Sequence, residues 1–253
     1  MSELESALEW RVERALQLAW PALEQQICGD WLARFAPGVS RRSNSANPLR
    51  AHLRHVDADI AACEQAFHVR GQPAMFRVPA IVETSVDERL DRRNYQWEGE
   101  SVTLYGELEA DAERDAGVTI ASRPVPAWLA AMAELQRRTP EQAAIYAGVV
   151  RAIALSAGFV GLREEGEWAA LAYGAVHDGL LCCESVIAHP QKRGRGLARR
   201  MMKALFAWAA ARGARAVCLQ VAADNGPGLA LYRNLGLKTV LYRYHYRREA
   251  TGR

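Results

Sequence analysis

Six residues, Gln191-Lys192-Arg193-Gly194-Arg195-Gly196, stand between an apolar run ending at Ala188 and an amphipathic run opening at Leu197. They constrain the chain more than any other segment. Glycines two apart let a backbone approach a ligand closely and turn its N–H groups outward. A helix beginning directly after them adds the positive end of its dipole. Together they suit an anion such as a pyrophosphate. The loop is not a Walker A loop, because the Gly-Lys-Ser/Thr ending is missing. It is not a dinucleotide fingerprint either, because Arg199 stands where the third glycine would be. The setting is basic: from Ser185 to Ala223 there are eight Lys or Arg and no Asp or Glu.

Around this loop the apolar pattern alternates between the two secondary-structure periods. Helices are expected at 127–137 and 140–152, and strands at 154–163, 168–177 and 180–188. Glu165-Gly166 and Asp178-Gly179 read as hairpin turns. Leu197, Met201, Leu205 and Trp208 share one helix face, and Gly213 stops that helix. A strand at 216–221, a helix opening at Asp224-Asn225 with Pro227 in its first turn, and a strand at 240–246 follow. The first half reads as a helix at 3–19, a strand at 27–35, a polar extended segment at 39–47, a helix at 55–69, a strand at 74–82, a short charged helix at 87–94 and a strand at 101–108. The acidic stretch from Glu109 and the extended Arg123-Pro124-Val125-Pro126 mark a linker. The order indicates a mixed α/β sheet.

Half of the 253 residues are hydrophobic and the net charge is only +3. There is material for a core, and neither disorder nor a polyanion partner for the whole surface is implied. The longest uncharged apolar stretch runs only from Ala152 to Leu162. A membrane span takes about 20 residues, so none is expected. Four Glu among the first 13 residues argue against a secretory leader and for a cytoplasmic location. Five cysteines without a Cys-x-x-Cys, and histidines without metal spacing (His52 and His55 are merely three apart), suggest neither disulfides nor a metal. Adjacent Cys182 and Cys183 are expected on opposite faces of a strand.

Gln191, Gly194 and Gly196, following the strand end Val186-Ile187-Ala188-His189-Pro190, match a Q/R-x-x-G-x-G/A motif. With the later segment NGPGLALYRNLGL, Asn225 to Leu237, they resemble the GNAT superfamily of acetyl-CoA-dependent N-acetyltransferases. Leu237 departs from that family's usual Phe. The likeness covers roughly residues 140–247 and implies a mixed, mostly antiparallel GNAT-type sheet flanked by helices. It implies that the amides of Arg193, Gly194, Arg195, Gly196 and Leu197 hold the pyrophosphate of acetyl-CoA. Val186, Ile187 and Ala188 would pair with the pantetheine arm, and the family's Asn and Tyr map to Asn225 and Tyr232. In direct attack of an amine on the thioester, the leaving thiolate needs a proton; Tyr232 is the candidate donor, or else a core tyrosine. For the base, Gln220 occupies the place of a Glu found in some relatives and cannot take a proton. Glu184 is the alternative, as a base directly or through water, or as a structural partner of an arginine. Lying an even number of residues from Val186 and Ala188, it is expected on their face.

The two halves overlay. Asn47-Pro48 matches His189-Pro190 at an offset of 142, and Leu90-Asp91-Arg92-Arg93-Asn94 resembles Leu231 to Leu235 at 141, which sets Asp91 opposite Tyr232. Two tandem GNAT-like units are therefore expected: a degenerate one at 1–110, a linker at 111–126 and a catalytic one at 127–253. Leu49 to Arg54 replaces the glycine loop without any glycine, so one CoA site per chain is expected. Arg41, Arg42 and Asn44 are candidates for a wall of the acceptor site, an arginine gripping a carboxylate bidentately, or else an exposed loop. The function expected is transfer of acetyl from acetyl-CoA to a small-molecule amine or peptide N-terminus. A CoA-binding sensor without catalysis is the alternative. A nucleic-acid partner is not expected, since the basic stretch lacks interleaved aromatics.

Overall fold

The computed structural model describes residues 3–108, 115 and 117–250. The first half runs α1 (Glu3–Ala19), β1 (Glu24–Cys28), β2 (Trp31–Phe35), a 3-10 turn (Arg41–Ser43), β3 (Ala46–Pro48), α2 (Val56–His68), β4 (Met75–Pro79), α3 (Thr84–Arg92) and β5 (Gln96–Glu107). The single strand expected at 27–35 is a hairpin, because Gly29 takes φ 60° and turns the chain between Cys28 and Trp31. The second half runs β6 (Val118–Ala121), α4 (Pro126–Leu135), α5 (Pro140–Arg151), β7 (Ser156–Glu164), β8 (Glu167–His177), β9 (Leu180–Ala188), a 3-10 turn (Pro190–Lys192), α6 (Leu197–Ala210), β10 (Ala216–Ala222), α7 (Gly226–Asn234) and β11 (Thr239–Arg248). Both expected hairpin turns carry positive φ at both residues, Glu165-Gly166 and Asp178-Gly179, the geometry that matches strand twist. Thr139 and Gln142 close a capping box at the start of α5. The expected linker contains β6, an edge strand paired antiparallel with β7; its residues 111–114 and 116 lie outside the described residues, as do 109 and 110.

Among the described residues the eleven strands form one sheet, ordered β1-β2-β3-β4-β11-β5-β10-β9-β8-β7-β6. The series β1, β2, β3, α2, β4, α3, β5 repeats as β7, β8, β9, α6, β10, α7, β11. The last strand of each series is exchanged. β5 lies between β10 and β11, and β11 lies between β4 and β5. Each half thus completes the sheet of the other.

Helix ends give the repeat's offset. After α2, Gly71 N–H bonds His68 O and Gln72 N–H bonds Phe67 O; after α6, Gly213 bonds Ala210 and Ala214 bonds Ala209. After α3, Asn94 takes φ 61° and Tyr95 N–H bonds Leu90 O; after α7, Gly236 takes φ 94° and Leu237 N–H bonds Tyr232 O. Every pair is 142 apart. Leu90, not Asp91, is therefore the counterpart of Tyr232, and Asp91 faces the position of Arg233. The offset of 141 read from residue likeness is one short, because helix closure rather than side-chain identity sets the alignment.

Three apolar clusters hold the sheet. One joins α2 to the first-half strands and to Tyr242, Tyr244 and Tyr246 of β11. A second gathers α1, α4 and α5 on one face of β7, β8 and β9. The third lies on the opposite face, under α6 and α7. Cys182 belongs to the second and Cys183 to the third, so the adjacent cysteines do point to opposite faces. All five cysteines are free and buried.

Candidate active site

β9 and β10 run parallel and pair only from Leu180–Ala216 to Cys182–Cys218. Beyond that rung they part. β9 continues on β8 through Glu184, Ile187 and Ala188, while Gln220 to Ala222 continue on β5. A wedge opens between the two strands, with the edges of both facing it.

The glycine loop stands at the mouth of this wedge. Gly194 and Gly196 take φ 76° and 73°, and a Cβ added at either would meet nothing within 4 Å. Gly196 caps α6. Among the described residues no protein group accepts the N–H of Gly194, Arg195 or Gly196. Lys192 pairs with Glu167 at 3.0 Å and Arg195 with Glu164 at 2.7 Å, so acids of the β7–β8 hairpin brace the loop's flanks. Gln191 and Arg193 are exposed, and Leu197 is buried under the helix. The counterpart loop in the first half is internally occupied. Leu53 N–H donates to Glu83 Oε1 at 3.1 Å and Arg54 N–H to Asp30 Oδ2 at 3.0 Å, while Arg50 pairs with Asp30. Carboxylates of the chain itself already accept these amides.

β9 is not a regular strand. Its register with β8 slips between Ile187, opposite Leu171, and Glu184, opposite Tyr173. Ser185 has φ 54°, the mark of a bulge. The bulge overturns the parity expected of Glu184. Val186 and Ala188 pack with Tyr232 and Leu197 on the α6 face, whereas Glu184 lies on the other face, opposite Tyr173, with Ile187 also packed there. One extra residue reverses which side chains share a face.

Glu184 is 3% exposed and is held bidentately by Arg42, Oε1 to Nη1 at 2.7 Å and Oε2 to Nη2 at 2.6 Å. Arg42 Nη1 also reaches Gln220 Oε1 at 3.1 Å, and its guanidinium lies over the Trp20 ring at 5.0 Å. Burial pulls the Arg42 pKa down, but the charge and hydrogen bonds of Glu184 outweigh it and hold Arg42 above its usual range. Behind this pair sits a second, Arg77 with Glu13, to which Tyr242 also donates. Arg34 donates to the carbonyls of Trp20 and Arg42; burial, then the charges of Arg42 and Arg77, push its pKa down to about 10.

The Arg42–Gln220 end borders a cleft of about 790 Å³, walled by Arg41, Trp97, Glu100, Asp224, Tyr244 and Tyr246 among others. Arg41 lies over the Tyr246 ring and approaches Glu98 at 3.5 Å. Asn44 is not in this wall. Its Oδ1 accepts Ala36 N–H and its amide donates to Gln72, so both ends are spent on the chain. Asn225 Oδ1 accepts Gly228 N–H at 3.0 Å and caps α7. Tyr232, on α7, is 7% exposed, and among the described residues its hydroxyl makes no hydrogen bond. Burial, then Cys183 and Glu184, raise its pKa, which keeps it protonated. Trp20, Tyr146, Ser185 and the aromatic cleft wall carry no motif and were not singled out from sequence. Among the described residues no three His, Cys, Asp or Glu are placed to hold a metal ion, and no helix is long and apolar enough to cross a membrane.

A sheet wedged open between parallel strands, with a glycine loop and helix N-terminus at its mouth, is the arrangement of the GNAT N-acetyltransferases, and the chain is an enzyme of that type. It belongs to the family described as probable histone acetyltransferase Rv0428c C-terminal, which matches residues 9–248. A relative in Bacillus subtilis (strain 168), described as uncharacterized N-acetyltransferase YobR, is 24% identical over 242 residues, spanning 94% of this chain and 97% of that one. A GCN5-related N-acetyltransferase from Kribbella flavida superposes over 100% of this chain and 98% of its own, with a TM-score of 0.71 at 15% identity. A tandem GNAT protein from the clavulanic acid biosynthesis pathway covers 83% of this chain and 76% of its own, with a TM-score of 0.62 at 13% identity.

Proposed function

We propose that this acetyltransferase moves acetyl from acetyl-CoA to a primary amine by direct attack, using one site in its second half. The observation that carries the reading is the pair of left-handed glycines, Gly194 and Gly196, with open space beside them and unengaged amides at the start of α6. The amides of Arg193 to Leu197 would bind the pyrophosphate, Gln191 would flank it, and the Val186-Ile187-Ala188 backbone would pair with pantetheine along the free edge of β9. Asn225 would shape the entry to α7. Tyr232 would protonate the leaving thiolate. Glu184 is the carboxylate where β9 leaves β10; as proton acceptor it would act through water, since Arg42 takes both its oxygens. The same pairing turns Arg42 from gripping an acceptor carboxylate and leaves that role to Arg41. We take 1–110 as the degenerate unit, 111–126 as the connection and 127–253 as the catalytic unit, with β5 and β11 exchanged between them.

The test is thiol release on mixing the protein with acetyl-CoA and a panel of amino acids, polyamines, aminoglycosides and peptide N-termini. Amine-dependent release with acetyl recovered on the amine supports the reading. Acetyl-CoA binding with no release on any amine would turn it into a sensor.

A further inference from the structure

Ser185 has a left-handed backbone, φ 54°, in the middle of β9. A non-glycine residue at positive φ is strained and persists where surrounding contacts over-determine it. Ser185 lies between Glu184 and Val186, and the bulge it makes sends those two side chains to opposite faces. Its Oγ is hydrogen-bonded at 3.0 Å to the hydroxyl of Tyr146 from α5. Tyr146 is 1% exposed and set against the Trp20 ring, centroids 6.0 Å apart. Trp20 in turn stacks on Tyr173 and lies under Arg42. The phenol cannot swing away without opening this packing, so its hydroxyl is a fixed post.

We infer that Tyr146 is a positioning residue: through its hydrogen bond to Ser185 it holds the β9 bulge, and with it the opposed placement of Glu184 and Val186. Without the bond, Ser185 relaxes toward negative φ, the bulge shifts, and the free edge of β9 no longer presents Val186 in the same place. The inference rests on the proposed acetyl-transfer site only for its effect on turnover. Its effect on the strand stands apart from that reading.

The experiment compares Tyr146→Phe, Ser185→Ala, their double variant, and each combined or replaced with Ser185→Gly. Glycine takes positive φ without the bond, so Ser185→Gly should keep the bulge whether or not the phenol hydroxyl is present. Tyr146→Phe and Ser185→Ala should each lower kcat about tenfold, with the double variant no worse than either. The Tyr146→Phe/Ser185→Gly variant should recover most of the loss. KM for acetyl-CoA should move less than kcat. In parallel, amide hydrogen exchange over 183–188 should speed up in Tyr146→Phe and return toward wild type with Ser185→Gly. Unchanged exchange in Tyr146→Phe, or failure of glycine to restore it, would overturn the inference. Restored exchange with no acetyl transfer in any variant, wild type included, would refute the transfer reading and leave the strand-holding role standing.

Discussion

Arg42 and Glu184 are 142 residues apart, the offset of the repeat, and they face one another in a bidentate ion pair. Equivalent positions of the two halves have become a cation and an anion that meet between the halves. The pair has a consequence for substitution. Glu184→Gln preserves shape but leaves the buried side of Arg42 without its charge partner. Breaking one side of a buried pair costs about 3–5 kcal/mol, whereas replacing both partners by apolar groups is often neutral. Glu184→Gln should therefore unfold at markedly lower denaturant, and Arg42→Met/Glu184→Met should recover most of that stability while remaining catalytically impaired. Equal urea midpoints for Glu184→Gln and wild type would show that the pair holds nothing together.

Gly194→Asp and Gly196→Asp should each abolish acetyl-CoA binding. A Cβ added at either meets nothing within 4 Å, so the expected loss comes from a carboxylate placed in the proposed anion site and from left-handed φ. The fold should survive with a loss of about 1–2 kcal/mol. Calorimetry on the folded variants decides the matter; unchanged affinity would remove the loop from the site.

One acetyl-CoA should bind per chain. Glu83 and Asp30 already accept the amides of Leu53 and Arg54 in the counterpart loop. A titration saturating at two per chain would refute this.

Tyr232→Phe should lower kcat by roughly 10²- to 10⁴-fold, the span of a general acid, with little change in KM for acetyl-CoA. Its hydroxyl makes no hydrogen bond among the described residues, so melting temperature should barely move. Full turnover in the phenylalanine variant would make Tyr232 a packing residue.

Acid stability should depend on Asp87. Hydrogen bonding from Arg247, against a smaller opposing effect of burial and with help from His245, lowers its pKa below the ordinary value. A carboxyl whose folded pKa is depressed stabilises fully above its unfolded value, near 3.9, and loses that contribution as pH falls through the folded value. Asp87→Asn should melt lower at pH 7 and show a shallower fall below about pH 4. Parallel melting curves of the two proteins between pH 2 and 7 would show that the ion pair contributes nothing.

The loop, the helix it caps, the hairpin turns and the tandem order were all legible along the chain, because each is a local matter. Glycine spacing, apolar period and turn dipeptides act over a few residues, and they act the same way wherever the segment ends up. Two corrections at the site arise where distant segments meet. Counting by twos along β9 put Glu184 beside Val186, and the bulge at Ser185, held from α5 by Tyr146, reversed it. Asn44 looked available in a polar segment, but Gln72 and Ala36 had claimed it. Residue likeness aligned the repeat at 141, and helix closure aligned it at 142. The exchange of β5 and β11 leaves no local mark either, since a strand's own pattern says which faces are buried and not which neighbours flank it. Local chemistry decided that this chain carries a glycine loop opening a helix on an α/β scaffold. Which charges meet beside the wedge was decided only when Arg42 and Glu184, 142 residues apart, came within hydrogen-bonding distance.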